Sequence, residues 1–249
     1  MTASLTQTQQ KLGNLECIIL DTPGCDEKVD ALVIICHGFG AAGDDLVPVA
    51  GEIFRVAESN LPHVRFVFPA APIQLDASGY YDSRAWWPID MLKLQQMMER
   101  GEYRDLRKDQ PELLAERNDD LVATMQQAMQ AAAVDHSKVI LGGFSQGSML
   151  ATEVAISLPE MIGGLVVWSG TLLCEDQWRQ KAANKKGLKV KQTHGKIDPI
   201  LPFQGAELLR DLLLEFEANI QFAEFEGPHT IPETGITMAL DLIQEVVAS

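Results

Sequence analysis

One serine of this chain has the neighbours of a catalytic nucleophile. Ser145 lies in GGFSQG, after the apolar run VILGGF and before a stretch with helical periodicity. A Gly-x-Ser-x-Gly match arises by chance in about one chain in ten of this length, and an ordinary tight turn would also explain it. The strand–turn–helix context favours the nucleophile, because Gly143 and Gly147 lack the Cβ atoms that would obstruct a strained turn.

A serine hydroxyl needs a general base, and the chain has five histidines to supply it. His229, in GPHTIP, lies between the last predicted strand and the last predicted helix, so we expect it at the same sheet edge as the serine. His63 and His136 precede strands and belong to the opposite edge. His37 and His194 close strands beside glycine and are interpreted as structural. The sequence therefore predicts His229 as the base.

The base needs an acid to orient it. In the chain order Ser, Asp, His, this acid comes between the serine and the histidine. Asp198, in THGKIDPILP, follows a predicted strand in that interval. An Asp-Pro turn is the alternative explanation, since Asp before Pro commonly starts a turn. Asp176 lies farther from its preceding strand and Asp211 falls inside a predicted helix, which leaves Asp198 as the predicted acid.

An acyl-transfer site also needs two N–H donors for the oxyanion. One is predicted at the amide of Gln146, at the positive end of the helix that follows the serine. The other is predicted at the amide of Phe39, in the loop HGFG after an early strand. A phosphate-binding loop is the alternative, but neither glycine fingerprint for phosphate is present. Asp44 and Asp45 are predicted to cap the next helix.

Short apolar runs alternate with longer amphipathic ones, which predicts an α/β fold with a mostly parallel central sheet flanked by helices. The predicted strands are Glu16–Leu20, Ala31–Cys36, Arg65–Phe68, Lys138–Gly143, Gly164–Trp168, Leu188–Thr193 and Gln221–Glu226. The predicted helices are Asp45–Ala57, Pro111–Ala133, Gln146–Leu158, Phe203–Glu217 and Pro232–Val247.

One connection, before the helix near Pro111, is roughly forty residues long, far above the usual two to six. It contains GYYDSRAWWPID and a Met- and charge-rich run. We expect Gly79–Asp109 to form a small cap insertion within a single domain spanning residues 1–249. Adjacent indoles on an extended segment point to opposite sides, so we expect one of Trp86 and Trp87 to face the site and the other to anchor the cap. The alternative is that both only fasten the cap.

The composition restricts the function classes. The 249 residues carry a formal net charge of −15, which disfavours nucleic acid and anionic lipid surfaces as partners and predicts no stable membrane association. The four cysteines lack metal-ligand spacing and are interpreted as reduced thiols. The N-terminal segment has no leader pattern and no run is long enough to span a bilayer, so we expect a soluble, cytoplasmic protein. A homodimer is compatible with the sequence.

The segments HGFG, GGFSQGSMLA, THGKIDPILP and GPHTIP, in this order, resemble the phospholipase/carboxylesterase family of α/β-hydrolases, which includes the acyl-protein thioesterases. The resemblance extends from about Ala31 to Ile243. It implies an α/β-hydrolase fold, with Ser145, Asp198 and His229 as the catalytic triad. It also implies that the amides named above form the oxyanion hole. RAWWPID resembles the family's aromatic segment near the acyl pocket, which makes Trp86 and Trp87 candidate substrate-binding residues.

The predicted reaction is two-step acyl transfer on a small-molecule ester, with small or medium acyl chains, through an acyl-enzyme. It requires neither a metal nor an organic cofactor. An acyl thioesterase or lysophospholipase would use the same residues on another leaving group. A non-catalytic relative that binds a small ligand in the same pocket is the alternative from a different class, since fold does not fix function.

Overall fold

The computed structural model describes residues 4–76, 82–90 and 105–249, together with Leu92, Gln96, Met97, Glu99 and Arg100. Within these residues, the central sheet contains eight strands. Their order across the sheet is β1-β2-β4-β3-β7-β8-β9-β10, and β5 and β6 form a separate short pair. The strands are β1 (Thr6–Leu12), β2 (Leu15–Asp21), β3 (Ala31–Cys36), β4 (Val64–Pro69), β5 (Ile73–Gln74), β6 (Arg84–Ala85), β7 (Val139–Phe144), β8 (Gly164–Trp168), β9 (Lys189–Gly195) and β10 (Asn219–Phe225).

Six neighbouring strands of the sheet run parallel to one another, as the sequence predicts. In spatial order they are β4, β3, β7, β8, β9 and β10. Residues of β3 and β8 are buried along the whole strand, because helices cover both faces of the sheet. The antiparallel strand β1 was not predicted. It is polar and exposed at six of seven positions, and it pairs with β2 through a two-residue turn at Gly13. A solvated edge strand of this kind carries no hydrophobic signal for sequence analysis to detect.

Six α-helices cover the sheet in the described part of the chain. They are α1 (Val47–Val56), α2 (Leu114–Ala132), α3 (Gln146–Ser157), α4 (Glu175–Ala182), α5 (Phe203–Glu215) and α6 (Glu233–Val247). Helices α1 and α6 pack on one face, in a core with Ile53, Phe66 and Leu242. Helices α2 to α5 contribute to the core on the other face, with Met125, Leu150 and Leu209. The sequence analysis missed the short helix α4, because six of its eight residues are polar and give little hydrophobic periodicity.

The central helix α3 is buried from Gln146 to Ile156. A helix surrounded by protein on all sides holds its N-terminus in a fixed position, since it has no solvated face along which to move. The residue that precedes α3, Ser145, is therefore positioned by the core of the domain.

The long connection after β4 runs back into the core. Within the predicted cap Gly79–Asp109, the described residues Ala85, Trp86 and Trp87 are buried, and the two tryptophans belong to the core on the same side of the sheet as α3. Residues 79–81, 91, 93–95, 98 and 101–104 of that prediction lie outside the described residues.

All four cysteines are buried and unpaired. Burial raises the pKa of Cys17 to about 12 and that of Cys174 to about 11, and it raises the pKa of Cys25 and Cys36 as well. No helix in the described residues is long and apolar enough to cross a membrane.

Candidate active site

Four segments, each of which follows a parallel strand of the sheet, bring the predicted site residues to one edge. Ser145 follows β7, and the loop with Phe39 follows the adjacent strand β3. Asp198 and His229 follow β9 and β10, which are also neighbours. Because these strands are parallel, their carboxyl ends meet at the same edge, where open α/β sheets bind ligands.

Ser145 occupies a strained turn between β7 and α3. Its φ of 54° and ψ of −120° are outside the regions that residues with a side chain normally adopt. A Cβ atom on Gly147 would lie 2.2 Å from the carbonyl oxygen of Cys36, and one on Gly143 would lie 2.6 Å from the same atom. The two glycines therefore allow the start of α3 to approach the end of β3, which is the steric role the sequence predicts for them.

Asp198 and His229 form a hydrogen-bonded pair. The Nδ1–H of His229 donates to Asp198 Oδ2 at 2.6 Å, and the ring of Phe144 packs on the imidazole with 4.7 Å between ring centroids. The other carboxylate oxygen accepts from the amides of Ile200 and Leu201 at 2.8 and 2.9 Å. The carboxylate thus fixes the tautomer that leaves His229 Nε2 available as a base.

The pKa of Asp198 lies below its ordinary value. Burial acts to raise this pKa, but hydrogen bonds from His194 and His229 and from the Leu201 amide lower it by more. Asp198 is 5 % exposed as a residue and its side chain is fully buried, so these donors replace the water that its carboxylate has lost.

His194 also contacts Asp198, which the sequence analysis missed. Its Nε2 donates to the carbonyl of Leu201 at 2.8 Å and lies 3.3 Å from Asp198 Oδ2. The residue is fully buried. His194 lies four residues before Asp198 in the sequence. This spacing alone does not distinguish a histidine that contacts Asp198 from the purely structural histidine that the sequence predicts.

Ser145 and His229 line the same cavity, of about 220 Å³. Its other walls are mainly apolar and include Trp87, Ile89, Leu106, Met149 and Leu173. Both side chains belong to the described residues, and no hydrogen bond joins the Ser145 hydroxyl to the His229 ring. Such bonds are often long in an empty site and shorten when substrate binds.

The residues of the two predicted oxyanion donors also line this cavity. Phe39 and Gln146 both belong to its lining, and neither backbone N–H has an acceptor among the described residues. The Gln146 amide is one of the first N–H groups of α3, which have no acceptor within a helix. Gly38 approaches Ser145 so closely that a Cβ atom on the glycine would lie 3.4 Å from Ser145 Cβ.

The adjacent indoles occupy different positions. Trp87 lines the cavity, whereas Trp86 lies behind the wall, fully buried, with its indole N–H donating to the carbonyl of His37 at 2.9 Å. The two side chains thus diverge, with one at the cavity and the other within the core.

Two acidic residues behave differently from the prediction. The structure starts α1 at Val47, with Leu46 at the N-cap and no side-chain cap, so Asp44 and Asp45 do not cap this helix. Pro48 lies in the first turn, where its missing N–H removes one of the donors that a cap would satisfy. Asp45 instead lines the cavity.

Among the described residues, no cluster of His, Cys, Asp and Glu is arranged to hold a metal ion.

Comparison with known proteins gives consistent matches. Residues 24–247 match the profile of the phospholipase/carboxylesterase family. Acyl-protein thioesterase 1 homolog 1 of Dictyostelium discoideum is 28% identical over 207 residues, covering 82% of this chain and 85% of that protein. The crystal structure of esterase PE8 superposes with a TM-score of 0.71 and 22% identity, covering 98% and 99% of the two chains. A carboxylesterase from Mesorhizobium loti superposes with a TM-score of 0.69 and 14% identity, with the same coverage. The last two likenesses show the α/β-hydrolase fold.

The close contact at Gly147 gives a stability prediction. We expect Gly147→Ala to lower the free energy of unfolding by about 3 kcal/mol, since the new methyl must displace backbone atoms. The melting temperature should then fall by roughly 6–12 °C. Gly51→Ala is the matched control, because a Cβ there meets nothing within 4 Å and the residue lies in α1, where alanine stabilises a helix. Equal melting temperatures for the two variants would contradict the steric argument.

Proposed function

Because this chain belongs to the phospholipase/carboxylesterase family of α/β-hydrolases, we propose that it is a serine carboxylic-ester hydrolase that uses Ser145, His229 and Asp198 as its triad. Its membership makes it a hydrolase of the carboxylesterase and acyl-protein thioesterase type. The assignment of the residues and of the ester is our own. The observation that carries it is the 2.6 Å hydrogen bond from His229 to Asp198, next to a serine in a strained turn at the same cavity.

The reaction proceeds in two steps. His229 Nε2 accepts the proton of the Ser145 hydroxyl as the serine oxygen attacks the ester carbonyl carbon. The carbonyl oxygen becomes an oxyanion held by the amides of Phe39 and Gln146. His229 then protonates the leaving alcohol as the bond between carbon and leaving oxygen breaks. In the second step, His229 accepts a proton from water as the water oxygen attacks the acyl-enzyme carbonyl. His229 then returns this proton to the Ser145 oxygen, and the carboxylic acid product leaves. Asp198 remains a carboxylate and stabilises the imidazolium.

The cavity supports a small or medium acyl group as substrate. Its volume of about 220 Å³ is below the roughly 300–1,000 Å³ of pockets that hold drug-sized ligands. The apolar walls favour the hydrocarbon part of an ester, and each buried methylene contributes about 0.8 kcal/mol.

A thioesterase is the second candidate, and the name of the Dictyostelium relative favours it. The same three residues would cleave a thioester, because the nucleophile, base and oxyanion donors act on the acyl carbon and not on the leaving atom. The relative kcat/KM on an oxygen ester and a thioester of the same acyl chain distinguishes the two activities.

Covalent labelling tests the nucleophile. We expect a fluorophosphonate to add once, at Ser145, because only an activated serine attacks phosphorus readily. Ser145→Ala should abolish both the label and ester hydrolysis. Ser157→Ala, at the other end of α3, is the control and should keep both. Labelling at a different serine would refute the assignment, and a chain that binds esters but is never labelled would be a ligand-binding protein.

The pH profile tests the base. We expect kcat/KM to rise with pH through a single limb, because only the neutral imidazole of His229 can accept the proton of Ser145. The limb should be single because hydrogen bonds hold the pKa of Asp198 below its ordinary value, so that this carboxylate is already ionised at the pH where activity rises. His229→Ala should lose nearly all activity. Full activity of the wild type at pH 4, or an unchanged limb in the variant, would argue against His229.

The two tryptophans test the acyl pocket. Trp87→Ala should reduce kcat/KM about tenfold more for an octanoate than for a butyrate ester, as expected if roughly two methylenes lose their apolar contacts. Trp86→Ala should instead lower kcat/KM for both esters by the same factor. It should also reduce the free energy of unfolding by about 3–5 kcal/mol, since Trp86 is a large core residue. Steady-state kinetics on both esters, with thermal melts, make the comparison. Identical chain-length profiles for both variants and the wild type would exclude this segment from the acyl site.

A further inference from the structure

We propose that the side chain of Gln146 is a positioning residue, which joins the two amides of the oxyanion hole into one hydrogen-bonded unit through Trp86. The inference rests on the proposed function and deepens it. It assigns to Gln146 a second role, distinct from that of its backbone N–H, and to the indole of Trp86 a role in catalysis from outside the cavity.

The first link runs from the start of α3 to the segment of residues 83–87, here called the bridging segment. The Gln146 side chain donates from Nε2 to the carbonyl of Trp87 at 2.8 Å, and its Oε1 accepts the amide N–H of Trp86 at 2.9 Å. Gln146 and Trp86 are fully buried and Trp87 is 4 % exposed, so water does not compete for these bonds. The bridging segment is thus fixed to the residue that supplies one oxyanion donor.

The second link runs from the bridging segment to the loop after β3. The indole N–H of Trp86 donates to the carbonyl of His37 at 2.9 Å. The ring of His37 is itself held, because Nε2 accepts the amide of Ala71 at 3.0 Å and Nδ1 donates to the carbonyl of Gly38 at 2.8 Å. Phe39, the other proposed donor, is the next residue after Gly38.

The third link holds the far side of the same loop. The amide of Gly40 donates to the carbonyl of Arg84 at 2.8 Å, and the amide of Arg84 donates to the carbonyl of Ala41 at 3.0 Å. The hydroxyl of Ser83 also donates to the carbonyl of Gly40 at 2.9 Å. Phe39 is therefore bracketed on both sides by bonds to the bridging segment.

These links explain how two donors from separate elements keep a fixed spacing. An oxyanion hole accelerates the reaction because its donors are already aimed at the transition-state oxygen before the reaction begins. Small displacements of such groups reduce the rate strongly. The α3 amide is fixed by the core, but the Phe39 amide lies in a loop, and the bridging segment transmits the fixed position of α3 to that loop.

Substitution of the linking side chains tests the proposal, since both backbone donors remain in every variant. Gln146→Met keeps the length of the side chain and removes both bonds, and Trp86→Phe keeps an aromatic ring and removes the bond to His37. We expect each to lower kcat about 10- to 100-fold with little change in KM, somewhat less than the loss from deleting a donor. The affinity for a trifluoromethyl ketone, whose adduct with Ser145 carries an oxyanion, should fall by the same factor as kcat/KM.

The double variant tests whether the two side chains act as one unit. If they form a single chain of contacts, the Gln146→Met, Trp86→Phe protein should lose about as much kcat as the more impaired single variant. Losses that multiply would overturn the proposal, because they would mean independent roles. If Gln146→Met does not fold, Trp86→Phe alone tests the chain from its other end by the split between kcat and KM.

Two matched controls separate positioning from a general loss of stability. Gln192→Met removes a buried glutamine bond to the carbonyl of Ala206, and Trp168→Phe removes a buried indole bond to the carbonyl of Gly235. Both should lower the melting temperature with kcat nearly unchanged at temperatures where the fold is intact. Equal losses of kcat in the controls and the test variants would overturn the proposal.

Failure of this inference and failure of the proposed function give different results. A wild type that hydrolyses esters, is labelled at Ser145 and loses activity in Ser145→Ala establishes the function whatever Gln146→Met does. If that holds while Gln146→Met and Trp86→Phe keep wild-type kcat and ketone affinity, the positioning role alone is wrong. A wild type that neither hydrolyses esters nor is labelled overturns the function, and the positioning role with it.

Discussion

The candidate site depends on the close approach of the first turn of α3 to the end of β3. Backbone atoms of Cys36 and His37 occupy the space where side chains at Gly143 and Gly147 would stand. This contact brings Ser145 close to the loop of Phe39 and the start of α3, and the backbone N–H groups of Phe39 and Gln146 have no acceptor among the described residues. The proposed nucleophile and the proposed oxyanion hole therefore depend on one steric constraint. It also requires the strained conformation of Ser145, which the buried helix and the adjacent strands maintain.

The proposed acid and the proposed base depend on a second property of the sheet, the adjacency of β9 and β10. Their carboxyl ends place Asp198 beside His229, and the backbone amides after β9 satisfy the other carboxylate oxygen. A buried carboxylate without such donors would be protonated or would disrupt the core. The donors keep it charged, and the charge fixes the orientation of the imidazole.

Sequence reasoning succeeded where position along a strand determines position in space. Ser145, Asp198, His229 and Phe39 were selected because each follows a predicted parallel strand, and the structure brings all four to one edge. It failed for contacts that depend on the direction of a side chain. The bonds from Gln146 to residues about sixty positions earlier, the approach of His194 to the acid, and the cavity position of Asp45 all follow from packing, which no periodicity or spacing encodes.

The four buried thiols have a consequence for how the fold responds to its chemical surroundings. Because burial raises their pKa values, the thiolate fraction at neutral pH is small, and the sulfur atoms are shielded from reagents. Oxidants and alkylating agents thus reach them only when the surrounding structure opens. Cys36 in β3 reports opening of the central sheet, and Cys174, whose Sγ donates to the carbonyl of Asp109, reports release of the segment before α2. The rates of alkylation at these two positions would reveal whether the domain opens as one unit or in parts.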